Sequence, residues 1–295
     1  MEIKESQYNF SEMHQRMQFY VDAGILPCCA TAVFKGTDLV DHQTFGFMDL
    51  ETREPLRDDA IYRMASNTKL VTSVALMMLQ EEGLFELDDP LAKFIPEFGD
   101  LQVLQPDATT AADVHPAKNL ISIRHLLSHS AGLSYGFVEP DSVIDQCYLN
   151  GGVNGLGEKD IDLEELCAGI AKLPLAFEPG TSWRYSFATD VCARLVEVLS
   201  GQSFDAFLRQ RIFDPLGMMD TDFWVPQEKA HRLITMYSPE DLFDPMKPGL
   251  NKADDVITGP YRARPKMLSG GGGLVSTVAD YSAFLRMIVN EGEWS

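Results

Sequence analysis

The segment from Ala65 to Gly83, "ASNTKLVTSVALMMLQEEG", constrains the fold of this chain most strongly. Its pattern is helical, and its apolar residues cover most of the circumference of the helix: Val71, Val74, Ala75, Leu76, Met78 and Leu79. A helix that is apolar nearly all round is stable only when other elements cover it. We therefore predict that this helix lies in the middle of a packed core.

Two polar residues, Ser66 and Lys69, lie one helical turn apart at the start of this helix, on nearly the same face. A lysine that points into a core is costly to keep charged, and a neutral amine can take the proton of a nearby serine, which makes the serine nucleophilic. The helix N-terminus would also favour negative charge that develops there. In the alternative interpretation Ser66 caps the helix and Lys69 extends to solvent. About one S-x-x-K match is expected by chance in a chain of this length, so the motif alone leaves both open.

The rest of the chain predicts further helices and two strands. A helix is expected over 9–23, followed by strands over 28–35 and 39–50 that are joined by a turn. Further helices are expected over 122–129, 162–173, 185–201, 204–215 and 277–292. Two strands do not make a stable sheet unaided, so further strands are expected after residue 295.

The charge of the chain excludes some classes of partner. Its 44 acidic and 24 basic residues give a formal charge of −20. Because such a surface repels phosphate groups, we expect neither nucleic acid nor a membrane as a partner.

The N-terminus and the cysteines indicate where the protein works. The first residues lack the basic start and the apolar core of a signal peptide, and no apolar run approaches membrane-spanning length. The five cysteines form no C-x-x-C pair. We therefore expect a cytoplasmic protein with buried, reduced thiols.

Four blocks of sequence resemble, in order, those of the β-lactamase-like serine hydrolases, which include class C β-lactamases, DD-peptidases and family VIII carboxylesterases. These blocks are "RMASNTKLVTSVALMMLQEEGLFELDDPLAKFIPEF", "ISIRHLLSHSAGLSYG", "FEPGTSWRYSFATDVCARLVEVLSGQSFDAFLRQRIFDPLGM" and "SGGGGLVSTVADYSAFLRMI". The family VIII carboxylesterases are the most similar group. Several long matches in the family's order are far more specific than one short motif.

The resemblance implies an α/β (α+β) fold of the β-lactamase/transpeptidase type, with an antiparallel sheet flanked by helices and a mainly helical subdomain. A single catalytic domain is expected over 1–295, with sheet-containing parts at 1–63 and 268–295 and a mainly helical part at 64–267. The resemblance implies no cofactor and no metal, and it makes Ser66 the nucleophile and Lys69 part of its base.

The family's second motif is a tyrosine, usually in Tyr-x-Asn, that serves as general base and acid. Tyr148 in "YLN" fits these letters, but it lies in a segment that suggests a Gly/Asn-rich surface loop. Tyr185 in "YSF" follows "EPGTSW" and opens a helix, as the family's tyrosine does. Position outweighs spelling, so Tyr185 is predicted as the third catalytic residue.

The predicted substrate pocket contains Tyr135, Trp183, Phe187, Gly271, Gly272 and Gly273. Phe187 replaces the asparagine whose amide, in β-lactamases, helps to hold the drug's side chain. Because a phenyl ring can line an apolar acyl pocket but cannot make those hydrogen bonds, this change favours esters over β-lactams.

Other motifs are weaker. His125 and His129 in "HLLSH" have the i, i+4 spacing of a metal pair, but the glutamate of H-E-x-x-H is missing. No G-K-[ST] follows "SGGGG", which disfavours a phosphate loop.

The family's third motif lies on a strand after the last helix seen here, and that strand supplies half of the oxyanion hole. The chain stops at "NEGEWS", before such a strand. We therefore expect the first strand to have an open edge, or a partner from a C-terminal fragment or a second chain. We also expect the Ser66 N–H to face a gap where the second oxyanion donor belongs.

Three functions remain open from the sequence. The favoured one is a carboxylesterase that cleaves short-chain, small-molecule esters through an acyl-enzyme by a Ser-Lys-Tyr mechanism. The second is a β-lactamase or D-amino-acid peptidase with the same acylation chemistry. The third is an inactive, truncated scaffold that acts as a binding or assembly subunit.

Overall fold

The computed structural model describes residues 3–4, 7–153, 161–253 and 261–294 of the 295-residue chain. The chain divides into two compact units. The first unit comprises 1–63, 213–264 and 275–295, and the second comprises 64–212 and 265–274. Residues 213–264 therefore group with the sheet-containing unit, although the sequence placed them in the mainly helical part. The physical reason is hydrogen bonding, since Thr235 N–H donates to Met48 O and Ile234 N–H donates to Ile61 O.

An antiparallel sheet forms the centre of the first unit. Strands β1 (Cys28–Lys35) and β2 (Asp38–Asp49) pair along their whole length, with Ala30 opposite Thr44, and the short β3 (Glu54–Pro55) lies on the other side of β2. Both long strands are confirmed. Among the described residues, β1 is an edge strand of this three-stranded sheet, which agrees with the expected open edge.

Two helices of the first unit pack on this sheet. Helix α1 (Ser11–Asp22) contacts β1 and β2, and helix α9 (Val278–Val289) contacts β1. The side chain of Thr277 caps α9 by accepting the N–H of Asp280 at 3.1 Å. The Asp280 carboxylate itself accepts the N–H of Asp220 at 2.7 Å, so it ties the helix start to another segment of the unit.

The first unit also contains short strands that the sequence did not predict. Strand β4 (Ile61–Arg63) pairs antiparallel with β9 (Val275–Thr277), and β7 (Tyr237–Pro239) pairs with β8 (Leu250–Lys252). A small core of Ile61, Val225 and Val275 lies under the first pair. The one-turn helix α8 (Asp214–Leu216) contacts α9.

The second unit is mainly helical. Its elements are α2 (Thr68–Glu81), the ribbon of β5 (Gln102–Leu104) and β6 (Val114–Pro116), α3 (Ile123–Leu127), α4 (Val143–Asn150), α5 (Leu163–Ile170), α6 (Ala188–Ser200) and α7 (Phe204–Leu208). A π-helical turn, Arg209–Phe213, follows α7 at the boundary between the units. Helix α6 contacts α2, α3, α5 and α7, and it ends at Gly201, whose φ of 69° is left-handed, as predicted.

The predicted central helix is confirmed, but it is not covered on every side. Helix α2 begins at Thr68 rather than at Ala65, and Ser66 lies in the preceding 3-10 turn Ala65–Asn67. Leu70 of α2 is 43% exposed, whereas Val71, Ala75 and Leu76 are completely buried. The helix is therefore buried along a broad stripe, and α6 is the helix that other helices surround.

Two further expectations concern the burial of the cysteine thiols and the absence of membrane-spanning helices. All five cysteines are free thiols; Cys147, Cys167 and Cys192 are buried, but Cys28 and Cys29 are only half-buried. Burial, together with the neighbouring Cys29, raises the pKa of Cys28 to about 11, so its thiol stays protonated. Within the described ranges, no helix is both long enough and apolar enough to cross a membrane.

Candidate active site

A strained turn places Ser66 before α2. Ala65, the preceding residue, has a φ of 43°, in the left-handed region that costs an alanine about 1–2 kcal/mol. The Met64 N–H donates to Leu274 O at 2.8 Å, and the Asn67 N–H donates to Met64 O at 3.0 Å. These bonds hold the turn in its strained form, and Ser66 is exposed at its tip. Such strain at an exposed polar residue is typical of functional sites.

The hydroxyl oxygen of Ser66 lies 2.5 Å from the phenol oxygen of Tyr185. Tyr185 lies three residues before α6, and its side chain is half-buried. Tyr148, by contrast, lies in α4 and is completely buried. The prediction that Tyr148 lies in a surface loop is wrong: Ser142 caps α4 by accepting the N–H of Asp145, so the helix runs through Tyr148 to Asn150.

The ammonium of Lys69 lies beside the same phenol ring. Its Nζ is 4.5 Å from the ring centre of Tyr185 and 5.5 Å from that of Tyr135. Nζ donates a hydrogen bond to the carbonyl oxygen of Gly271 at 2.6 Å. The structure thus brings Ser66, Tyr185 and Lys69 together, with Tyr185 in direct contact with the serine.

The glycine-rich turn, residues 269–274, is hydrogen-bonded to α2. Thr72 Oγ1 donates to Gly270 O at 2.8 Å, and Leu274 N–H donates to Thr68 Oγ1 at 3.2 Å. A Cβ at Gly270 would lie 2.6 Å from Ala193 Cβ on α6 and 2.8 Å from Thr189 O. Only a glycine fits between the two helices there, which explains one of the four successive glycines.

The N–H groups of the predicted pocket glycines already have partners. Gly271 donates to Asp190 Oδ1 at 3.0 Å, Gly272 to Ser269 Oγ at 3.1 Å, and Gly273 to Ser269 O at 3.0 Å. These three groups therefore do not point at an incoming carbonyl oxygen. Their role in this structure is to shape the turn that faces Lys69.

Asp190 is a buried residue of the site that the sequence analysis missed. Its carboxylate, on α6, is 0% exposed and accepts the Ser269 hydroxyl at 2.6 Å as well as the Gly271 N–H. Burial raises the pKa of Asp190, while the bonds from Ser269 and Gly271 and the charge of Lys69 oppose this rise. An aspartate that directly precedes the apolar residues Val191, Cys192 and Ala193 was the signal that could have revealed it.

The three aromatic residues predicted for the pocket lie at different depths. Tyr135 is 7% exposed, and its ring packs on those of Tyr185 (5.3 Å) and Phe187 (4.5 Å). Phe187 is 1% exposed, between Tyr135 and Tyr148, so the structure places it behind Tyr135 and not at an accessible surface. Trp183 is 64% exposed and stacks on Tyr185 at 6.5 Å. Burial raises the pKa of Tyr135, so its phenol remains protonated.

A buried ion pair fixes the segment that carries Tyr185. The Arg184 guanidinium donates to Asp145 Oδ1 at 2.9 Å and to Ser134 Oγ at 2.7 Å. Ser134 in turn donates to Asp145, which is 0% exposed. Ser134 and Arg184 immediately precede Tyr135 and Tyr185. This network therefore fixes the segments that carry the two tyrosines relative to each other.

The two histidines do not form a metal pair. His125 Nδ1 accepts the N–H of Ser122 in the capping box of α3, whereas the His129 ring lies 5.1 Å from that of Tyr185. Burial, and then the charge of Lys69, lower the pKa of His129 to about 4. In the part of the chain that the structure describes, no cluster of three or more His, Cys, Asp or Glu side chains could hold a metal ion.

Comparison with known proteins identifies the family. The model of the family described as "Beta-lactamase" matches residues 13–293. The chain belongs to the β-lactamase family. One relative is esterase EstB of Burkholderia gladioli. It is 30% identical to this chain over 268 residues, which cover 80% of this chain and 64% of EstB.

Two further relatives bear on the length of the chain and on its fold. Protein Rv1367c of Mycobacterium tuberculosis is 34% identical over 271 residues, which cover 92% of this chain and 64% of that protein. The chain therefore spans somewhat less than two thirds of the length of these curated relatives. The solved structure of EstCE1, titled a hydrolase with promiscuous acyltransferase activity, superposes with a TM-score of 0.80 at 23% identity, covering 97% of this chain and 73% of that one. The predicted β-lactamase/transpeptidase-like fold is confirmed.

Proposed function

We propose that this protein is a serine hydrolase that cleaves short-chain carboxylic esters through an acyl-enzyme. The observation that carries the proposal is the 2.5 Å contact between Ser66 Oγ and Tyr185 Oη, with the Lys69 ammonium 4.5 Å from the ring of Tyr185. A nucleophile in hydrogen-bond contact with a base, which a third group orients, is the arrangement that covalent catalysis requires.

Acylation begins when Ser66 Oγ attacks the carbonyl carbon of the ester. The hydroxyl proton passes to the Tyr185 oxygen, which acts as a phenolate whose negative charge the Lys69 ammonium compensates. The carbon–oxygen bond to the alcohol then breaks, and the leaving alcohol oxygen takes the proton from Tyr185. Lys69 and Tyr185 thus act as one coupled base, and the acyl group remains on Ser66.

Deacylation repeats these steps with water. Tyr185 takes a proton from a water molecule, which attacks the acyl carbon, and it returns the proton to Ser66 Oγ as the acid leaves. Because the N–H groups of Gly271 to Gly273 are engaged elsewhere, we propose the Ser66 N–H as one oxyanion donor.

The preference for esters is proposed from Phe187 and from the relatives. The ring of Phe187 fills the space beneath Tyr135 and offers no amide to the side chain of a β-lactam. The relative EstB is named an esterase, which supports ester chemistry for this chain. The match to the β-lactamase family favours β-lactam hydrolysis as the second candidate.

Steady-state kinetics would test the proposal. The substrates are p-nitrophenyl esters from acetate to laurate, with a chromogenic cephalosporin alongside. We expect the highest kcat/KM for the short-chain esters and a much lower value for the cephalosporin. Equal values for the cephalosporin and the butyrate ester would contradict the ester preference.

Paired serine variants would assign the activity to this site. Ser66→Ala should abolish ester turnover, because the nucleophile is lost. Ser73→Ala is the matched control: Ser73 lies on the same helix, but its hydroxyl donates to the backbone oxygen of Lys69, so turnover should persist. Turnover that survives in Ser66→Ala would contradict the proposed nucleophile.

A further inference from the structure

Asp190 connects α6 to the group that holds Lys69. Its Oδ1 accepts two hydrogen bonds, from Ser269 Oγ at 2.6 Å and from Gly271 N–H at 3.0 Å. The carbonyl of the same Gly271 accepts the ammonium of Lys69 at 2.6 Å. A single residue of the turn therefore joins the buried carboxylate on α6 to the lysine on α2.

Close contacts and hydrogen bonds fix the backbone of the turn 269–271. A Cβ at Gly271 would lie 2.7 Å from Tyr135 Oη and would also clash with Asp190 Oδ2, so the backbone passes between the two side chains. Ser269 serves twice, because its hydroxyl donates to Asp190 and accepts the N–H of Gly272. Without an acceptor at Asp190, both the Ser269 hydroxyl and the Gly271 N–H would lose a buried partner.

We infer that Asp190 is a positioning residue for the proposed reaction: through the turn 269–271 it sets the place of the Gly271 carbonyl, and thereby of the Lys69 ammonium beside Tyr185. This inference rests on the proposed Ser-Lys-Tyr function. It assigns to Asp190 no contact with substrate. What the site requires of this side chain is an oxygen acceptor at the place of Oδ1.

The titratable groups that face Lys69 are Tyr185, Tyr135, His129 and Asp190. Burial keeps Tyr135 protonated, and the low pKa of His129 keeps that imidazole neutral above about pH 4. The buried thiols of Cys167 and Cys192, which also face Asp190, have pKa values raised by burial and stay protonated.

The proposed reaction requires Lys69 Nζ beside the ring of Tyr185, 4.5 Å from its centre. If the Gly271 carbonyl moves, the hydrogen bond that holds Nζ in this place is lost. The chemical step should then slow, whereas substrate binding should change little.

The test compares Asp190→Ala with Asp190→Asn in steady-state ester kinetics. Asp190→Ala should lower kcat by roughly 10- to 100-fold, as expected for a displaced catalytic group, with KM changed less than about twofold. Asp190→Asn retains the amide oxygen as an acceptor for Ser269 and Gly271, so it should recover most of the wild-type kcat. Equal losses in the two variants, or a wild-type kcat in Asp190→Ala, would overturn the inference.

A matched control separates positioning from stability. Asp280 is also a buried aspartate whose pKa burial raises, and it accepts the Asp220 N–H and the Thr221 hydroxyl. Asp280→Ala should lower the Tm while leaving kcat close to the wild-type value. A loss of kcat in Asp280→Ala equal to that in Asp190→Ala would show that any loss of packing has this effect, and it would overturn the inference.

A crystal structure of Asp190→Ala gives a readout that does not depend on activity. The distance from Lys69 Nζ to Gly271 O, 2.6 Å here, should lengthen beyond hydrogen-bond range. An unchanged distance overturns the inference even if ester hydrolysis is established. If instead the wild-type protein turns over no ester, the proposed function is overturned, and the distance still shows whether Asp190 positions Lys69. If Asp190→Ala does not fold, Ser269→Ala removes one of the two bonds to Asp190 and is judged by the same distance and by kcat.

Discussion

Ser66 and Tyr185 are 119 residues apart in sequence, and their side-chain oxygens lie 2.5 Å apart in the structure. The contact joins the strained turn before α2 to the segment before α6. A hydroxyl and a phenol at this distance are within hydrogen-bond range, and this contact is the basis for the proposed role of Tyr185 as the base for Ser66.

Tyr185→Phe should lower kcat/KM for p-nitrophenyl butyrate by about 10²–10⁴-fold, the usual contribution of a general base. Tyr148→Phe is the matched control: it also removes one phenol oxygen, but from a fully buried ring on α4, and it should be nearly silent in kinetics. If Tyr148→Phe abolishes turnover and Tyr185→Phe does not, the tyrosine has been assigned wrongly.

Lys69→Ala should be as damaging as Tyr185→Phe, and the two losses should not add. In the proposed mechanism Lys69 and Tyr185 act as one coupled base, so the double variant should be no slower than the worse single variant within about threefold. The measurement is kcat/KM for the four proteins of the cycle. Additive losses would mean that the two residues act independently.

Asp145→Ala should destabilise the protein by about 3–5 kcal/mol in urea unfolding, because it leaves the Arg184 guanidinium without its buried partner. Burial alone would raise the pKa of Asp145, but bonds from Ser134, from the Glu139 N–H and from Arg184 lower it, so the pair is charged. Glu139→Ala removes the other carboxylate that binds Arg184. The Glu139 side chain is 64% exposed, so this change should lower the free energy of unfolding by at most about 1 kcal/mol. Equal costs would contradict the assigned difference in burial.

Protonation of His129 should weaken the fold as the pH falls. Because its pKa is about 4 in the folded chain and near 6.5 when solvated, the unfolded chain binds a proton between these values that the folded chain does not. The free energy of unfolding should therefore decrease from pH 6.5 to pH 4, and in His129→Gln this decrease should be about 1–2 kcal/mol smaller. The exposed His231→Gln serves as the control, and an identical slope in His129→Gln and the wild type would refute the assignment.

Patterns that repeat along the chain made much of the fold predictable. The two strand-forming runs of β1 and β2 on either side of a turn, the apolar surface of α2 and the glycine that ends α6 each follow from local rules of composition, spacing and backbone geometry. The three-residue strands β4 and β9 were missed because their pairing joins segments more than 200 residues apart, and three residues are too few to show a period.

The candidate site divides in the same way. Ser66 and Lys69 stand in a motif, and Tyr185 was chosen by its position after "EPGTSW", so the sequence could name all three before any geometry was known. The burial of Phe187 and the helix around Tyr148 depend on tertiary packing. The two glycines after Asn150 suggested a loop, although they only follow the end of a helix. The capping pair Ser142-x-x-Asp145 was the local signal for that helix.

Covalent labelling with an alkyl fluorophosphonate, followed by intact-mass analysis and peptide mapping, tests the central claim most directly. The account predicts one adduct per chain on Ser66, formed more slowly in Tyr185→Phe and not at all in Ser66→Ala. A protein that turns over esters but carries its adduct on another residue, or one that stays unlabelled from pH 5 to 10, would contradict it.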